Sequence, residues 1–178
     1  MLLLQIPDPS LVILVGPSGA GKSTFAARHF KPTEIVSSDR CRALVCDDES
    51  DQSVNGAAFS LLHHIAGARL WAGRLTVIDA TNLEIEARRR LLRIAGDHQA
   101  PTVAIAFNIP LERCLRQNLT RSERVVKEEV VGHHSTLLEK ALANLALEGY
   151  ARVYVLDETN LNDVVIERIK WQIEPGEN

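Results

Sequence analysis

The sequence has few aromatic residues and no long apolar run. Phe, Trp and Tyr make up 4% of the chain, which leaves little surface for stacking on nucleobases, so any reading of a nucleic-acid sequence would be weak. No apolar stretch approaches the roughly 20 residues that cross a bilayer. The leucine-rich start, MLLLQIPDPS, lacks a basic region and a small-residue cleavage site. We therefore expect neither a membrane partner nor a signal peptide.

Cysteines are few, and positive charge is not in excess. The three cysteines, Cys41, Cys46 and Cys114, are odd in number and lack metal-ligand spacing, which predicts reduced structural thiols in a cytoplasmic protein. The net charge is −3. Proteins that grip a long duplex usually have a strongly basic surface. A nucleic acid, if one is bound, would therefore be held at an end or over a few nucleotides.

What the sequence does have is a glycine-rich motif. Residues 11–24 read LVILVGPSGAGKST, and residues 16–23 fit the pattern G-x-x-x-x-G-K-[ST] at every fixed position. The apolar run before the motif predicts a strand buried on both faces, and KSTFAARHF after it predicts a helix. Such a loop turns several backbone N–H groups toward a phosphate chain, and glycines keep the approach open. A structural glycine turn would not require Lys-Ser at this offset, so the motif predicts nucleotide binding.

The loop residues are expected to bind ATP, or another nucleoside triphosphate, together with Mg²⁺. Lys22 would reach the β- and γ-phosphates, and Ser23 would offer its hydroxyl to Mg²⁺. Asp79 closes the apolar segment LTVID and is predicted to hold Mg²⁺ through water, although many strands end in an Asp that caps a helix. The predicted nucleotide contacts within the loop are Gly16, Ser18, Gly19, Ala20, Gly21, Lys22, Ser23 and Thr24.

The rest of the chain alternates strands with helices. Further strands are predicted at 33–39, 75–79, 102–107 and 152–156, and further helices at 53–72, 83–98, 111–124, 125–147 and 163–173. This pattern predicts one α/β domain over residues 1–178, a three-layer sandwich around a five-stranded parallel sheet. The strand order does not follow from the sequence. Ligands of such sheets lie beyond the carboxyl ends of the strands, so Asp39 is predicted on the same rim as the loop.

Several basic residues and histidines allow more than one interpretation. Arg121 and Arg124 share a helical face and would either close over a transferring phosphoryl group or lie on a solvated basic helix. The arginines at 88, 89, 90 and 93 are predicted to be mostly solvated, with one or two reaching an acceptor. The histidine pairs at 63–64 and 133–134 are interpreted as ordinary helix residues.

Five segments together resemble one family. They are GPSGAGKSTFAARHF, EIVSSDRCRALVCDDESDQ, GAAF, LTVIDATN and NLTRSERVV. They are similar to the 5′-OH polynucleotide kinase module of bacterial polynucleotide kinase–phosphatases, which repair RNA ends. The resemblance runs through nearly the whole chain. It implies an adenylate-kinase-like phosphate-loop NTPase that moves the γ-phosphate of a nucleoside triphosphate to the 5′-OH end of RNA or DNA, in a longer protein with phosphatase and ligase-like domains.

The resemblance also implies residue roles. Asp39 would be the general base, Arg42 would contact the acceptor, and Arg121 and Arg124 would contact the donor phosphates from a lid. The family has a lid arginine four residues before Arg121, where this chain has Gln117; the neighbouring Arg116 is the predicted substitute.

Two other functions remain open from the residues. A kinase of a small-molecule hydroxyl, on a nucleoside, sugar or antibiotic, would use the same loop and acid. A nucleotide-gated binding module would need no acceptor, and the pair Asp39 and Arg42 counts against it.

Overall fold

The computed structural model describes residues 1–119 and 126–171. The strands within these residues are β1 (Leu2–Asp8), β2 (Leu11–Val15), β3 (Ile35–Ser37), β4 (Thr76–Asp79), β5 (Thr102–Phe107), β6 (Arg152–Leu156) and β7 (Val164–Lys170). The helices are α1 (Lys22–His29), α2 (Ser38–Cys46), α3 (Asn55–Trp71), α4 (Ile85–Asp97), α5 (Leu111–Leu119) and α6 (Glu128–Asn144). No helix in this described part is long and apolar enough to cross a membrane.

The central sheet has five parallel strands in the order β3–β4–β2–β5–β6. β2, which leads into the glycine-rich loop, lies in the middle, and Leu11 pairs with Thr76 on one side and Thr102 on the other. Every side chain of β2 is fully buried, because a central parallel strand is covered on both faces. The unbroken apolar run therefore predicted this strand correctly.

Helices cover both faces of the sheet. Val12 and Leu14 pack in a cluster with Phe25 of α1 and Cys114 of α5. Leu11 and Ile13 face the opposite way, into a cluster with residues of α2, α3, α4 and α6 such as Leu62. Alternate residues of one strand thus enter two apolar layers. The predicted three-layer sandwich around a five-stranded parallel sheet is confirmed.

Two terminal segments differ from the prediction. Residues 163–173 were predicted to form a helix, but Val164–Lys170 is a strand, and it pairs in parallel with β1 from Leu2↔Val164 to Asp8↔Lys170. No element was predicted for Leu2–Asp8. The β-branched run in β7 favours extended backbone, and its partner lies at the other end of the chain. The periodicity of the local sequence therefore does not predict this pairing.

This small sheet is fixed to the large one by polar contacts. The hydroxyl of Tyr154 in β6 donates to the carbonyl of Gln5 and accepts from its N–H, both at 3.0 Å. Arg168 in β7 donates two hydrogen bonds of 2.8 Å to Glu34, just before β3. Leu4 and Ile6 are fully buried against the core, so β1 belongs to the hydrophobic core.

Candidate active site

The loop between β2 and α1 is shaped by packing as well as by its own turn. Gly19 and Gly21 have φ angles of 83° and 89°, a region that favours glycine. A Cβ added to Gly19 would lie 2.2 Å from the carbonyl oxygen of Cys114 in α5. Only glycine accommodates both the backbone angle and this close approach. The bare backbone that a phosphate chain requires is therefore present here.

Lys22 turns its ammonium group into the loop. Its Nζ donates to the carbonyl oxygens of Gly16, at 2.8 Å, and Pro17, at 2.7 Å, and the residue is buried. The N–H of Gly16 donates to the carbonyl of Thr81 over 2.9 Å, which ties the loop to the connection after β4. A positive charge and a helix N-terminus thus lie at one place, an arrangement that favours anions.

Oxygen groups suited to Mg²⁺ lie near this rim. Ser23 and Thr24 are exposed in the first turn of α1, and Asp79 is buried at the carboxyl end of β4, the neighbour of β2. In residues 1–119 and 126–171, no group of three or more His, Cys, Asp or Glu side chains could hold a metal ion by itself. Mg²⁺ takes oxygen ligands and keeps several waters. A hydroxyl and one carboxylate fit that requirement, with phosphate and water completing the shell.

Asp39 lies in the first turn of α2 and not at the end of β3, which corrects the predicted strand 33–39. β3 ends at Ser37, whose Oγ accepts the N–H of Arg40 over 3.4 Å and caps the helix. An acid in a first helical turn is favoured by the helix dipole. Ser37 pairs with Asp79 in the sheet. Asp39, two residues after Ser37, therefore lies at the same rim of the sheet as the loop.

Arg42 fixes the carboxylate of Asp39. Its Nη2 forms an ion pair with Oδ1 of Asp39, its Nε donates to the carbonyl of Glu49 at 2.7 Å, and its Nη1 donates to Oδ1 of Asn55 at 3.0 Å. The residue is only 3% exposed. Three bonds to the protein thus set its direction, and Arg42 orients the acid on the preceding turn.

Two cavities flank the loop. The first has a volume of about 230 Å³ and brings together Lys22, Asp39 and Arg42 between the loop, α2, α3 and α6. Its other lining residues are Ser18, Ser38, Gln52, Asn55, Phe59, Ala80, Thr81, Val130 and His134. The second cavity, of about 330 Å³, lies between α1, α5 and the β6–β7 connection, and is lined by Gly19, Gly21, Thr24, Phe25, Arg28, His29, Arg113, Gln117, Leu161 and Asn162.

Of the three arginines predicted to contact the donor, only Arg116 lies within the described residues. Arg121 and Arg124 lie outside the described residues. Arg116 is exposed on α5 and lines neither cavity, whereas Gln117 lines the second one. The donor contact assigned to Arg116 stays a prediction.

Three of the four arginines of α4, at 89, 90 and 93, are exposed, as predicted for most of them, whereas Arg88 is buried. It is 1% exposed and pairs with Glu148 through bonds of 2.8 and 2.5 Å. It also donates to the carbonyl of Asn82 at 3.0 Å. The amide of Asn82 in turn donates to the carbonyl of Leu14 in β2 over 2.7 Å. Arg88 therefore supports the strand that carries the loop.

Sequence reasoning did not predict the contacts that Asn55 and His134 make in the first cavity. Asn55 begins α3, and nothing in its neighbourhood marks it as a partner of Arg42. His134 was interpreted as an ordinary helix residue, yet its Nδ1 lies 3.5 Å from the N–H of Ser18 and accepts its hydrogen bond. The signal available for His134 was its position on the otherwise apolar face of α6, four residues before the buried Leu138.

Comparisons with known proteins agree with this architecture. A chain in the structure of the Pnkp1/Rnl/Hen1 RNA repair complex has a TM-score of 0.66 and 22% identity, covering 78% of this chain and 47% of that chain. The Mycobacterium tuberculosis APS kinase CysC, solved with AMPPNP and APS, has a TM-score of 0.54 and 17% identity, covering 86% of this chain and 90% of its own. Identities this low show a shared fold alone.

One curated relative is similar in sequence. Transcription factor bHLH140 of Arabidopsis thaliana is 26% identical over 147 residues, which cover 80% of this chain but only 15% of that protein. The chain thus spans a small part of this relative and less than half of the RNA repair chain. Residues 11–141, well over half of the sequence, match the model of a family described as an AAA domain. The chain belongs to this AAA domain family, and it has the fold of a phosphate-loop kinase.

Proposed function

We propose that this chain transfers the γ-phosphate of ATP, or of another nucleoside triphosphate, to the 5′-OH end of RNA or DNA. The observation that carries the proposal is that Lys22 of the loop and Asp39 of α2 line one cavity of about 230 Å³. An ammonium group suits a phosphate, and a carboxylate suits the proton of an alcohol. The cavity thus offers a group to each reactant of a phosphoryl transfer.

The donor would lie along the loop. Its phosphates would meet the backbone of residues 16–24 and the ammonium of Lys22, and its nucleoside would enter the cavity of about 330 Å³ on the other side of the loop. Ser23 and, through water, Asp79 would hold Mg²⁺, which neutralises phosphate oxygens when it is bound. The close packing of Cys114 on Gly19 keeps this part of the loop free of side chains.

The acceptor would lie on the Asp39 side. The carboxylate would accept a hydrogen bond from the 5′-OH and turn its oxygen toward the γ-phosphorus. As the O5′–P bond forms and the bond to the diphosphate oxygen breaks, the hydroxyl proton passes to Asp39. Arg42 holds the carboxylate in place. Arg121 and Arg124 are proposed to neutralise charge on the transferring group, with Arg116 as a further donor contact.

A polynucleotide end is the acceptor that the combined observations favour. The five segments that resemble polynucleotide kinase modules include the loop, Asp39 and Arg42. A net charge of −3 suits a protein that holds an end and not a long duplex. Phe59 and Val130 add an apolar wall to the cavity, against which a terminal nucleoside can pack. The similarity to a chain of an RNA repair complex supports the further proposal of phosphatase and ligase-like neighbours in a longer protein.

A panel of acceptors tests this proposal. The protein is incubated with Mg²⁺, ATP labelled at the γ-phosphate, and, in parallel, 5′-OH RNA, 5′-OH DNA, 5′-phosphorylated RNA, adenosine and adenosine 5′-phosphosulfate. We expect label on the 5′-OH oligonucleotides and none on the phosphorylated control. Transfer only to a small molecule would contradict the proposal and favour a small-molecule kinase. Release of labelled phosphate with no labelled acceptor would favour a nucleotide-gated module.

A further inference from the structure

Helix α6 places a polar ring in the first cavity, directly on the phosphate loop. The Nδ1 of His134 accepts the backbone N–H of Ser18 over 3.5 Å. Ser18 is only 9% exposed, so this N–H has little access to water and the imidazole supplies its acceptor. Backbone N–H groups of such a loop bind phosphate oxygens. The ring therefore lies beside the place where a phosphate on this side of the loop would bind.

The contact defines which ring nitrogen can donate. Because Nδ1 accepts a hydrogen bond, the proton of the neutral ring is on Nε2, which acts as a donor. Phosphate oxygens only accept, so the ring can bind a phosphate through Nε2. Lys22 from α1 and Arg42 and Asp39 from α2 line the same cavity.

The side of the loop indicates which phosphate is involved. Ser18 and Lys22 line the cavity of Asp39, whereas Gly21 and Thr24 line the cavity proposed for the nucleoside. For an alcohol held by Asp39 to be reached, the terminal phosphoryl group must lie on the Ser18 side. We propose that His134 donates from Nε2 to the terminal phosphoryl group of the donor and is a further catalytic residue, an inference that rests on the phosphoryl transfer proposed above.

Nucleotide affinities and turnover together test this role. Wild type and the variants His134→Ala, His134→Gln and His134→Asn are titrated by calorimetry with AMPPNP and with ADP, both with Mg²⁺, and kcat is measured with a 5′-OH oligonucleotide. Loss of a hydrogen bond to a charged group lowers an affinity or a rate constant by roughly tenfold to hundredfold. In His134→Ala, kcat and the affinity for AMPPNP should both fall by that factor, and the affinity for ADP should not change. His134→Gln, which retains an N–H near the position of Nε2, should recover part of the loss, while His134→Asn should not.

The matched control is His133→Ala, an exposed histidine on the same helix, which should behave as wild type. An equal loss of AMPPNP and ADP affinity would overturn the proposal, because it would show that His134 only shapes the loop. Unchanged kcat and affinities would overturn it too. If a thermal melt shows that His134→Ala does not fold, the role is tested by comparing kcat and AMPPNP affinity between His134→Gln and His134→Asn. A wild type that binds AMPPNP more tightly than ADP but phosphorylates no oligonucleotide would contradict the proposed acceptor alone, and the affinity ratio would still test His134.

Discussion

The Nη1 of Arg42 donates to the Oδ1 of Asn55 over 3.0 Å, so the first residue of α3 fixes the guanidinium that pairs with Asp39 of α2. The carbonyl of Glu49 holds the Nε of the same side chain at 2.7 Å. Asp39 is thus oriented by contacts that extend into a neighbouring helix. This arrangement gives Asn55 a positioning role that acts through Arg42.

Replacing Asn55 tests that role. Asn55→Ala removes one acceptor of Arg42, and we expect kcat for transfer to a 5′-OH oligonucleotide to fall roughly tenfold, because Asp39 is less well oriented. The affinity for ATP, measured by calorimetry, should not change. Asn144→Ala is the control, since that exposed amide donates within its own helix, to Lys140 at 2.7 Å. Wild-type kcat in folded Asn55→Ala would show that Arg42 needs no such support.

The close packing of α5 on the loop predicts the effect of a single methyl group. Gly19→Ala places a Cβ at 2.2 Å from the carbonyl oxygen of Cys114 on a residue with a φ of 83°, so the loop must shift. We expect ADP binding, measured by calorimetry, to be lost. Gly96→Ala in α4 has nothing within 4 Å of the added atom and should bind ADP as wild type does. Normal ADP affinity in Gly19→Ala would contradict the packing seen here.

The buried ion pair beside the loop predicts a large change in stability. Arg88→Met leaves Glu148 without its partner in a buried position, and we expect the free energy of unfolding to fall by roughly 3–5 kcal/mol. The double variant Arg88→Met/Glu148→Leu should recover part of this loss, because it leaves no buried charge. Urea unfolding measures both.

An exposed pair on the same helix is the control for this comparison. Arg89 pairs with Glu86 over 2.6 Å at the surface, so Arg89→Ala should cost less than about 1 kcal/mol. Equal losses in Arg88→Met and Arg89→Ala would show that the buried pair does not stabilise the fold more than a surface pair.

The contact between Glu34 and Arg168 predicts sensitivity to acid. Burial raises the pKa of Glu34, but the hydrogen bonds and charge of Arg168 and the backbone N–H of Lys31 outweigh it, so the pKa lies below the usual 4.5. The unfolded carboxyl then binds a proton more readily than the folded one. The stabilisation that the ionised Glu34 gives the folded state is therefore complete above the pKa of the unfolded carboxyl, and it is lost as the pH falls through the pKa of the folded one.

Arg168→Ala should consequently unfold more easily at pH 7 and lose less further stability than wild type between about pH 5 and pH 3. Urea unfolding across this range measures the slope. Arg89→Ala serves again as the control and should keep the wild-type slope. An unchanged slope in Arg168→Ala would mean that Glu34 is not held by this pair.

The parts of the structure that the sequence predicted are those encoded locally. The buried strand β2 follows from an unbroken apolar run, and the loop follows from its glycines and Lys22. The strand β7 was predicted to be a helix because its partner β1 lies more than 150 residues away in the chain. Asp39 was placed on the correct rim but in the wrong element, since the cap at Ser37 ends β3 early.

The missed residues of the site are those defined by contacts between distant segments. Asn55 matters only because Arg42 reaches it, and His134 only because α6 packs on the loop, 116 residues away in sequence. The run of arginines in α4 did not show which of its members is buried, because the acid partner of Arg88 is 60 residues distant. Neither spacing nor composition reports such pairs.

In the proposed reaction, the carboxylate of Asp39 acts on an alcohol that faces the phosphate loop. The most direct measurement is transfer of labelled γ-phosphate to a 5′-OH oligonucleotide by Asp39→Ala, with ATP affinity measured on the same preparation. We expect transfer to fall by roughly 100-fold or more while ATP binds as it does to wild type. Transfer at the wild-type rate by this variant would contradict the proposed role of Asp39.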